Sequence, residues 1–241
     1  MSPTKHDLER ALALYWETKD KQREEAERRG STAEGTSVAV RGGGHFAPLV
    51  NLVAQFFIDA GYPPSSIGAQ GATVELPGYY RPTKRWDLVI AHRGVLVAAF
   101  EMKALGGPSF GNNYNNRVEE ALGSAVDLSR ARVARLLGNE QPWLGYFFIM
   151  EDHVKSRAQS TRAPRGKMFK EDPGWVGRSY QERFAQTGER LLEEKLYDAV
   201  CYVVSSPASP EPTEPSLLID WKHFSAAIQG RISYLRQLGY P

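Results

Sequence analysis

Residues 86–103 place the strongest constraint on how this chain can fold. Positions 86–91 and 95–103 are two apolar, β-branched-rich runs separated only by His92-Arg93-Gly94, the pattern of two antiparallel strands joined by a tight turn. The second run is apolar at nearly every position until Glu101, so it is expected to be a central strand buried on both faces. Side chains alternate along a strand, which sends Glu101 and Lys103 to one side and Met102 to the other. The start of one hairpin strand lies beside the end of the next, so Asp87 should approach Glu101.

Two carboxylates and a lysine at one point are a set with chemical use. Hard divalent cations such as Mg²⁺ take oxygen ligands, commonly one or two carboxylates plus water and substrate phosphate. Asp87 and Glu101 can supply that pair, and a metal there would activate a water and screen a scissile phosphate. Lys103 would stabilise developing negative charge or assist the nucleophilic water. The competing reading is a structural ion-pair cluster at a sheet edge; against it, charges that end a buried strand are costly without a purpose. Three other acid-x-lysine triplets, Glu17-Thr-Lys19, Glu193-Glu-Lys195 and Asp220-Trp-Lys222, sit in charged or helical-looking segments and read as solvated surface.

The set matches the PD-(D/E)xK nuclease motif, with Trp86-Asp87 in place of the usual proline-aspartate pair. The flanks narrow the likeness. Leu76-Pro-Gly-Tyr-Tyr-Arg-Pro-Thr-Lys-Arg-Trp-Asp87 and then Gly107-Pro-Ser-Phe-Gly-Asn-Asn-Tyr-Asn-Asn-Arg-Val-Glu-Glu-Ala121 strongly resemble the XhoI family of type II restriction endonucleases. The resemblance is strong from Leu76 to Leu128, weaker through Glu151-Asp152 and Ser179-Tyr180, and fades after Tyr197. It implies cleavage of double-stranded DNA at the palindrome CTCGAG, with Mg²⁺, by a homodimer, and puts Asp87, Glu101 and Lys103 at the family's catalytic positions. A departure lies at Arg41-Gly-Gly-Gly-His-Phe46, where the family usually carries aspartate-glycine-phenylalanine, so contacts to DNA there need not follow the family.

Composition is compatible with this and excludes other classes. A chain of 241 residues, 41% hydrophobic, can bury one sizeable core and is short for two. Net charge is +2, a bias that permits DNA binding without implying it. The lone Cys201 rules out a disulfide framework or a cysteine-rich zinc site within one chain, and fits a reducing cytoplasm. No run approaches the ~18 apolar residues that cross a bilayer, and the N-terminus has no signal-like core, so a non-exported cytoplasmic protein with no membrane partner is expected. No nucleophile-base triad, phosphate-binding glycine loop or haem signature competes.

The expected architecture is an α/β restriction-endonuclease-like core, a mixed sheet flanked by helices, with extra N- and C-terminal helices. Thr4 and Asp7 are placed to cap a helix with an apolar stripe of Leu8, Leu12 and Tyr15, which becomes almost wholly charged over residues 19–29. Leu49, Leu52, Val53, Phe56 and Phe57 have the spacing of a core helix ending near Gly61. Residues 72–76 are read as the first strand. A loop over 106–115 should lead to a helix with Asn116 as N-cap and Glu119 completing the box, lined by Val118, Leu122, Ala125, Val133 and Leu136. Residues 143–150 and 197–204 read as strands and 178–196 as a helix. The nuclease domain thus spans 1–204, with a helical extension over about 1–40. Residues 205–216 are a proline-rich connector, and 217–241 carry a helix with Trp221, Phe224, Ile228, Ile232 and Leu235 on one face, which packs on the core or on a dimer partner.

Candidate DNA contacts fall in three places. Asn112, Asn113, Asn115, Asn116 and Arg117 offer the side chains that pair with adenine and guanine in the major groove, although asparagine clusters also build turns. Lys155, Arg157, Arg162, Arg165, Lys167 and Lys170 form a basic loop that suits phosphates or plain solvated surface. Lys84 and Arg85 adjoin Asp87 and cannot be far from the scissile strand. His45, His92, His153 and His223 show no ligand spacing and read as structural or surface residues. The function expected is a type II restriction endonuclease cutting one phosphodiester in each strand of a palindrome to 5′-phosphate and 3′-hydroxyl ends. A two-fold site favours a symmetric dimer, and a cognate DNA methyltransferase is the companion that would spare the host. A non-catalytic DNA-binding protein and a structure-specific nuclease on the same fold are the alternatives.

Overall fold

The hairpin at the centre of the sequence is also the centre of the sheet. In the computed structural model, which describes residues 2–28, 44–107, 109–138, 140–160 and 168–240, strand β4 (Leu88–His92) pairs antiparallel with β5 (Val95–Leu105). The turn between them has positive φ at both Arg93 and Gly94, the twist that suits a two-residue hairpin loop. Around this pair lie β1 (Ile67–Gly68), β6 (Leu144–Glu151), β7 (Ala199–Ser206) and β8 (Ser209–Thr213), in the order β1-β4-β5-β6-β7-β8. Strands β5, β6 and β7 run parallel, and β8 returns antiparallel at the edge. A separate two-stranded ribbon pairs β2 (Glu75–Pro77) with β3 (Thr83–Arg85).

Because β5, β6 and β7 are apolar on both faces, helices must cover both. One face carries α1 (Lys5–Arg28), α2 (Ala47–Asp59) and α6 (Trp221–Gln237); there Phe57, Phe100, Phe147, Ile149, Cys201 and Phe224 pack in one cluster. The other face carries α3 (Phe110–Val133) and α5 (Tyr180–Glu193), over Ala99, Tyr146, Phe148, Phe184 and Tyr202. Gly145 is needed where it stands, since a Cβ there would lie 2.4 Å from the Phe100 ring. The result is a mixed α/β fold, a six-stranded mixed sheet flanked by helices, consistent with the architecture expected.

The helical expectations hold at both ends of the chain. Thr4 and Asp7 cap α1 reciprocally, with the Thr4 amide donating to Asp7 Oδ2 at 2.8 Å and the Asp7 amide to Thr4 Oγ1 at 3.3 Å, and Leu8, Leu12 and Tyr15 are buried. The charged stretch after Lys19 continues as helix to Arg28, held by Lys21–Glu17 and Arg23–Asp20 ion pairs. Leu49, Leu52, Val53, Phe56 and Phe57 are the buried face of α2. All five residues chosen for the α6 face are buried, and the helix packs on the core: buried Arg231 donates to the carbonyls of Val97 at 3.0 Å and Gln141 at 2.9 Å.

Five expectations need correction. Of residues 72–76 only Glu75 and Leu76 are strand, in β2, while 71–74 form a short 3₁₀ turn whose Thr73 carbonyl lies too close to Gly68 of β1 for any Cβ there. Helix α3 begins at Phe110 instead of Asn116: Phe110 is buried against the His153 and Tyr180 rings and anchors the first turn, and Asn113 Nδ2 bonds the Ser109 carbonyl. The same helix packs through Ala121, Ala125, Leu128 and Ala131, leaving Leu122, Val133 and Leu136 exposed; small residues let it approach the sheet, and a buried aspartate on its inner face disguises the stripe. The proline-rich connector contains the end of β7 and all of β8, an edge strand where prolines are tolerated because one side needs no ladder hydrogen bonds. Finally, the Asp220 triplet is not solvated surface, for Asp220 is buried as the N-cap of α6 and accepts from the His223 amide at 2.7 Å, and Lys19 is half-buried over the Trp16 ring. Among the described residues no helix is long and apolar enough to cross a membrane.

The histidines are structural. His92 bonds Ser66 Oγ at 2.7 Å, His153 caps the single turn α4 (Val154–Arg157), His223 rests on Asp220, and His45 is buried against Tyr15 and Phe46. Burial, with Lys19 nearby, holds the His45 imidazole at a pKa of about 4 instead of 6.5. The unfolded chain therefore takes up this proton first as pH falls, so the stabilising effect of neutral His45 is full above pH 6.5 and is lost progressively towards pH 4. Denaturant unfolding measured across that window should show His45→Phe escaping about 3 kcal/mol of the wild-type loss; parallel pH profiles for the two proteins would remove His45 as the cause.

Candidate active site

The strand pattern that buries β5 also aims its charges. Ala99 and Leu105 face α3 and α5 while Phe100 and Met102 face the opposite cluster, so Glu101 and Lys103 emerge on the α3 side. Asp87, just before β4, continues the hairpin ladder by donating its amide to the Phe100 carbonyl at 3.1 Å. Its Oδ2 accepts from the Met102 amide at 2.7 Å and lies 3.5 Å from Lys103 Nζ. Lys103 also grips Glu101 Oε1, so one ammonium bridges the two carboxylates. Asp87, Glu101 and Lys103, chosen from spacing alone, are brought together.

A fourth group joins them. Lys84 of β3 reaches Glu101 Oε2 at 2.5 Å, its Nζ lying 4.1 Å from the centre of the Trp86 ring and 3.1 Å from the Arg85 carbonyl. Each carboxylate oxygen of Glu101 thus has its own lysine. Burial drives the Glu101 carboxyl upwards, but Lys103 and Lys84 outweigh it and the net shift is below the ordinary range. Asp87 has less compensation, so burial leaves its pKa raised. Lys103 is pulled down by burial and up by Glu101 and Asp87, and ends above the ordinary lysine value. Of the two carboxylates, Asp87 is the one whose burial is less offset by its neighbours.

The other candidates divide. Arg117 lies on α3 with Nη1 paired to Glu120 and its buried Nε without a partner, and its charge acts on Lys103. Asn112, Asn115 and Asn116 are exposed on the first turns of α3, and Asn113 is half-buried on its Ser109 bond. Arg85 is exposed on the opposite side of β3 from Lys84. Arg157 pairs with Asp152, and Lys155 and Lys170 are exposed. Arg162, Arg165 and Lys167 lie outside the described residues.

Two residues that spacing did not reveal hold the site in shape. Asp127, buried on α3, accepts the Tyr79 and Tyr80 amides at 2.8 Å each and Arg81 Nε at 2.6 Å, pinning the turn of the ribbon that carries Lys84. Burial raises its carboxyl, the Tyr80 amide, Arg81 and the Tyr79 amide lower it further, and the net pKa is depressed. Glu151, at the end of β6, accepts the Gly107 amide at 3.0 Å and fixes the chain as it leaves β5. Neither sits at a distance from its partners that a period would disclose.

The comparisons with known proteins converge on one group. A family model described as restriction endonuclease XhoI matches residues 25–213. The chain belongs to this restriction endonuclease family. It is 35% identical over 184 residues to the type II restriction enzyme XhoI of Xanthomonas vasicola, covering 75% of this chain and 72% of that protein. It is 39% identical over 137 residues to the type II restriction enzyme BstVI of Geobacillus stearothermophilus, covering 54% of this chain and 60% of that one. The type II restriction enzyme AbrI of Azospirillum brasilense is 36% identical over 147 residues, covering 61% and 66%. No solved structure matches at a significant level. The family match runs past Tyr197, through β7 and β8, and contains Lys84, Asp87, Glu101, Lys103 and Arg117.

The Asp127 clamp can be tested directly. Asp127→Ala removes three hydrogen bonds from the ribbon turn, and a loss of about 2 kcal/mol is expected. Amide exchange at Tyr79 and Tyr80 should accelerate well ahead of the β5 amides. Unchanged protection at both would mean that the turn is held by something other than this carboxylate.

Proposed function

We propose that this protein is a type II restriction endonuclease that hydrolyses double-stranded DNA with Mg²⁺ at a palindromic site, CTCGAG by the family likeness. The observation that carries the reading is the buried convergence of Asp87, Glu101 and Lys103 at one end of the central hairpin, in a chain of this family. The reading places it in the cytoplasm beside a cognate methyltransferase.

Among the described residues no group of three or more histidine, cysteine, aspartate or glutamate side chains is placed to hold a metal. Two carboxylates are nevertheless the donor set that suits Mg²⁺, which keeps several waters and takes further oxygens from phosphate. Asp87 and Glu101 would hold the ion, which when bound supplies a polarised water and screens the phosphate. Lys103 keeps both carboxylates oriented and presents its ammonium where pentavalent phosphorus gains negative charge. The water adds its oxygen to phosphorus, the bond to the 3′ oxygen breaks, and the water proton ends on that oxygen, leaving 5′-phosphate and 3′-hydroxyl ends. Arg117, with a buried unpartnered Nε and a charge that acts on Lys103, suits a phosphate oxygen better than a base edge. Asn112, Asn115, Asn116 and Arg85 are exposed and available to DNA.

A palindrome read by one set of contacts calls for a two-fold dimer, and α3 offers a face for it. Leu122, Val126 and Val133 are exposed large apolar residues, spaced as one stripe along the helix, with exposed Leu136 just beyond its end. Acidic Glu119 and Glu120 flank one end of the stripe, and basic Arg130 and Arg132 the other, so an antiparallel second copy of α3 would oppose unlike charges. Light scattering should find a dimer, and Val133→Glu should yield a folded monomer. A dimer persisting in Val133→Glu would move the interface elsewhere, while a monomeric wild type would refute the dimer itself.

The chemistry is tested by digesting a mapped plasmid with Mg²⁺ and sequencing the ends. Discrete cuts at CTCGAG are expected. Asp87→Asn and Glu101→Gln should each lower cleavage at least ~10³-fold while DNA binding in Ca²⁺ survives. Cleavage by either variant near the wild-type rate would take that residue out of the site. Binding without any metal-dependent cutting by the wild type would favour the non-catalytic alternative.

A further inference from the structure

Lys84 is not accounted for by the two-carboxylate, one-lysine set. Its side chain is only 10% exposed and its partner Glu101 only 6%, so the contact is no surface ion pair. It arrives on the β2–β3 ribbon, outside the six-stranded sheet that supplies Asp87, Glu101 and Lys103. The Trp86 ring lies along its path at 4.1 Å and can keep a cation company if the ammonium leaves Glu101. Lys103 bridges both carboxylates, whereas Lys84 touches Glu101 Oε2 alone among them. It is therefore the more easily displaced of the two.

The charge count gives this arrangement a consequence. Two carboxylates and two ammoniums sum to zero, so a divalent ion entering the cluster as it stands would leave a strongly positive, poorly hydrated site. An ion that takes Glu101 Oε2 must also displace a charged hydrogen bond. Both costs fall when a DNA phosphate enters, since the phosphate brings negative charge and offers Lys84 another anion. We propose that Lys84 competes with the divalent metal for Glu101 and gives way when DNA phosphate takes up its charge, so that metal and DNA bind cooperatively. This rests on the reading of Glu101 as a metal ligand. The coupling is reciprocal: bound metal raises the affinity for DNA by the same factor by which bound DNA raises the affinity for metal.

The test is Mn²⁺ binding, followed by the electron paramagnetic resonance of free Mn²⁺, to DNA-free wild type, Lys84→Gln, Lys84→Arg and Glu101→Gln, each first shown to be folded by circular dichroism. Lys84→Gln should bind Mn²⁺ at least ~10-fold more tightly than wild type, and Lys84→Arg, which keeps the charge, should not. Calorimetry with Ca²⁺ and a short CTCGAG duplex should show the advantage of Lys84→Gln disappearing once DNA is bound. Unchanged DNA-free affinity in Lys84→Gln, with binding abolished in Glu101→Gln, overturns the proposal and leaves the metal reading standing. Wild-type affinity in Glu101→Gln overturns the metal reading itself. An advantage of Lys84→Gln that persists undiminished on DNA overturns the coupling.

Discussion

The Glu101 carboxylate, buried in the central strand and held at each oxygen by a different lysine, is the interaction on which the rest of this structure depends. A lone carboxylate in such a place would protonate or unfold the strand. It is kept ionised because Lys103 lies two residues along the same strand and Lys84 comes across from a separate ribbon. Removing a partner from a buried pair typically costs about 3–5 kcal/mol, so the Lys84–Glu101 contact ties the ribbon to the sheet. That tie in turn needs the ribbon turn to stay closed, which falls to Asp127 on α3. Strand, ribbon and helix are thus linked through charges as well as through the apolar cluster that Val74, Trp86 and Leu76 share with Ala99, Ala121 and Leu128.

The two faces of the sheet divide the work accordingly. The side covered by α1, α2 and α6 is built of aromatic and aliphatic contacts such as Phe57 on Phe100 and Phe147 on Phe224, and Arg231 is its main buried charge. The side covered by α3 and α5 carries the acid-lysine cluster, with buried Tyr146 paired to Glu101 across the strands. An apolar half gives rigidity, and a polar half placed on rigid strands keeps its side chains within the tolerance that phosphoryl chemistry needs.

What the sequence discloses follows from how local each feature is. The hairpin, its turn at Arg93-Gly94 and the meeting of Asp87 with Glu101 depend on alternation and on a short loop, and all three can be read directly. The capping of α1 and the buried face of α6 are equally local. The start of α3 is not, because it is set by Phe110 wedging between His153 and Tyr180, residues 43 and 70 positions away. The face of α3 is misread for a related reason: Leu122, Val133 and Leu136 look like core, and the real inner face contains an aspartate whose partners are 46 to 48 residues distant. Lys84 was legible only as a cation near Asp87. Nothing in its spacing says that it belongs to Glu101, 17 residues on.

Helix α3 is where these separate requirements meet. Its inner face packs Ala121, Ala125 and Ala131 on the sheet and holds the ribbon through Asp127. Its first turns carry the exposed asparagines, and the charge of Arg117 acts on Lys103. In the dimer proposed, its outer stripe faces the second copy. A displacement of this one helix would therefore move the candidate DNA contacts, the ribbon that delivers Lys84 and the two-fold axis together. Ala121, Ser124, Ala125 and Ala131 on its inner face seat the helix closely on the sheet, which leaves it little freedom to shift.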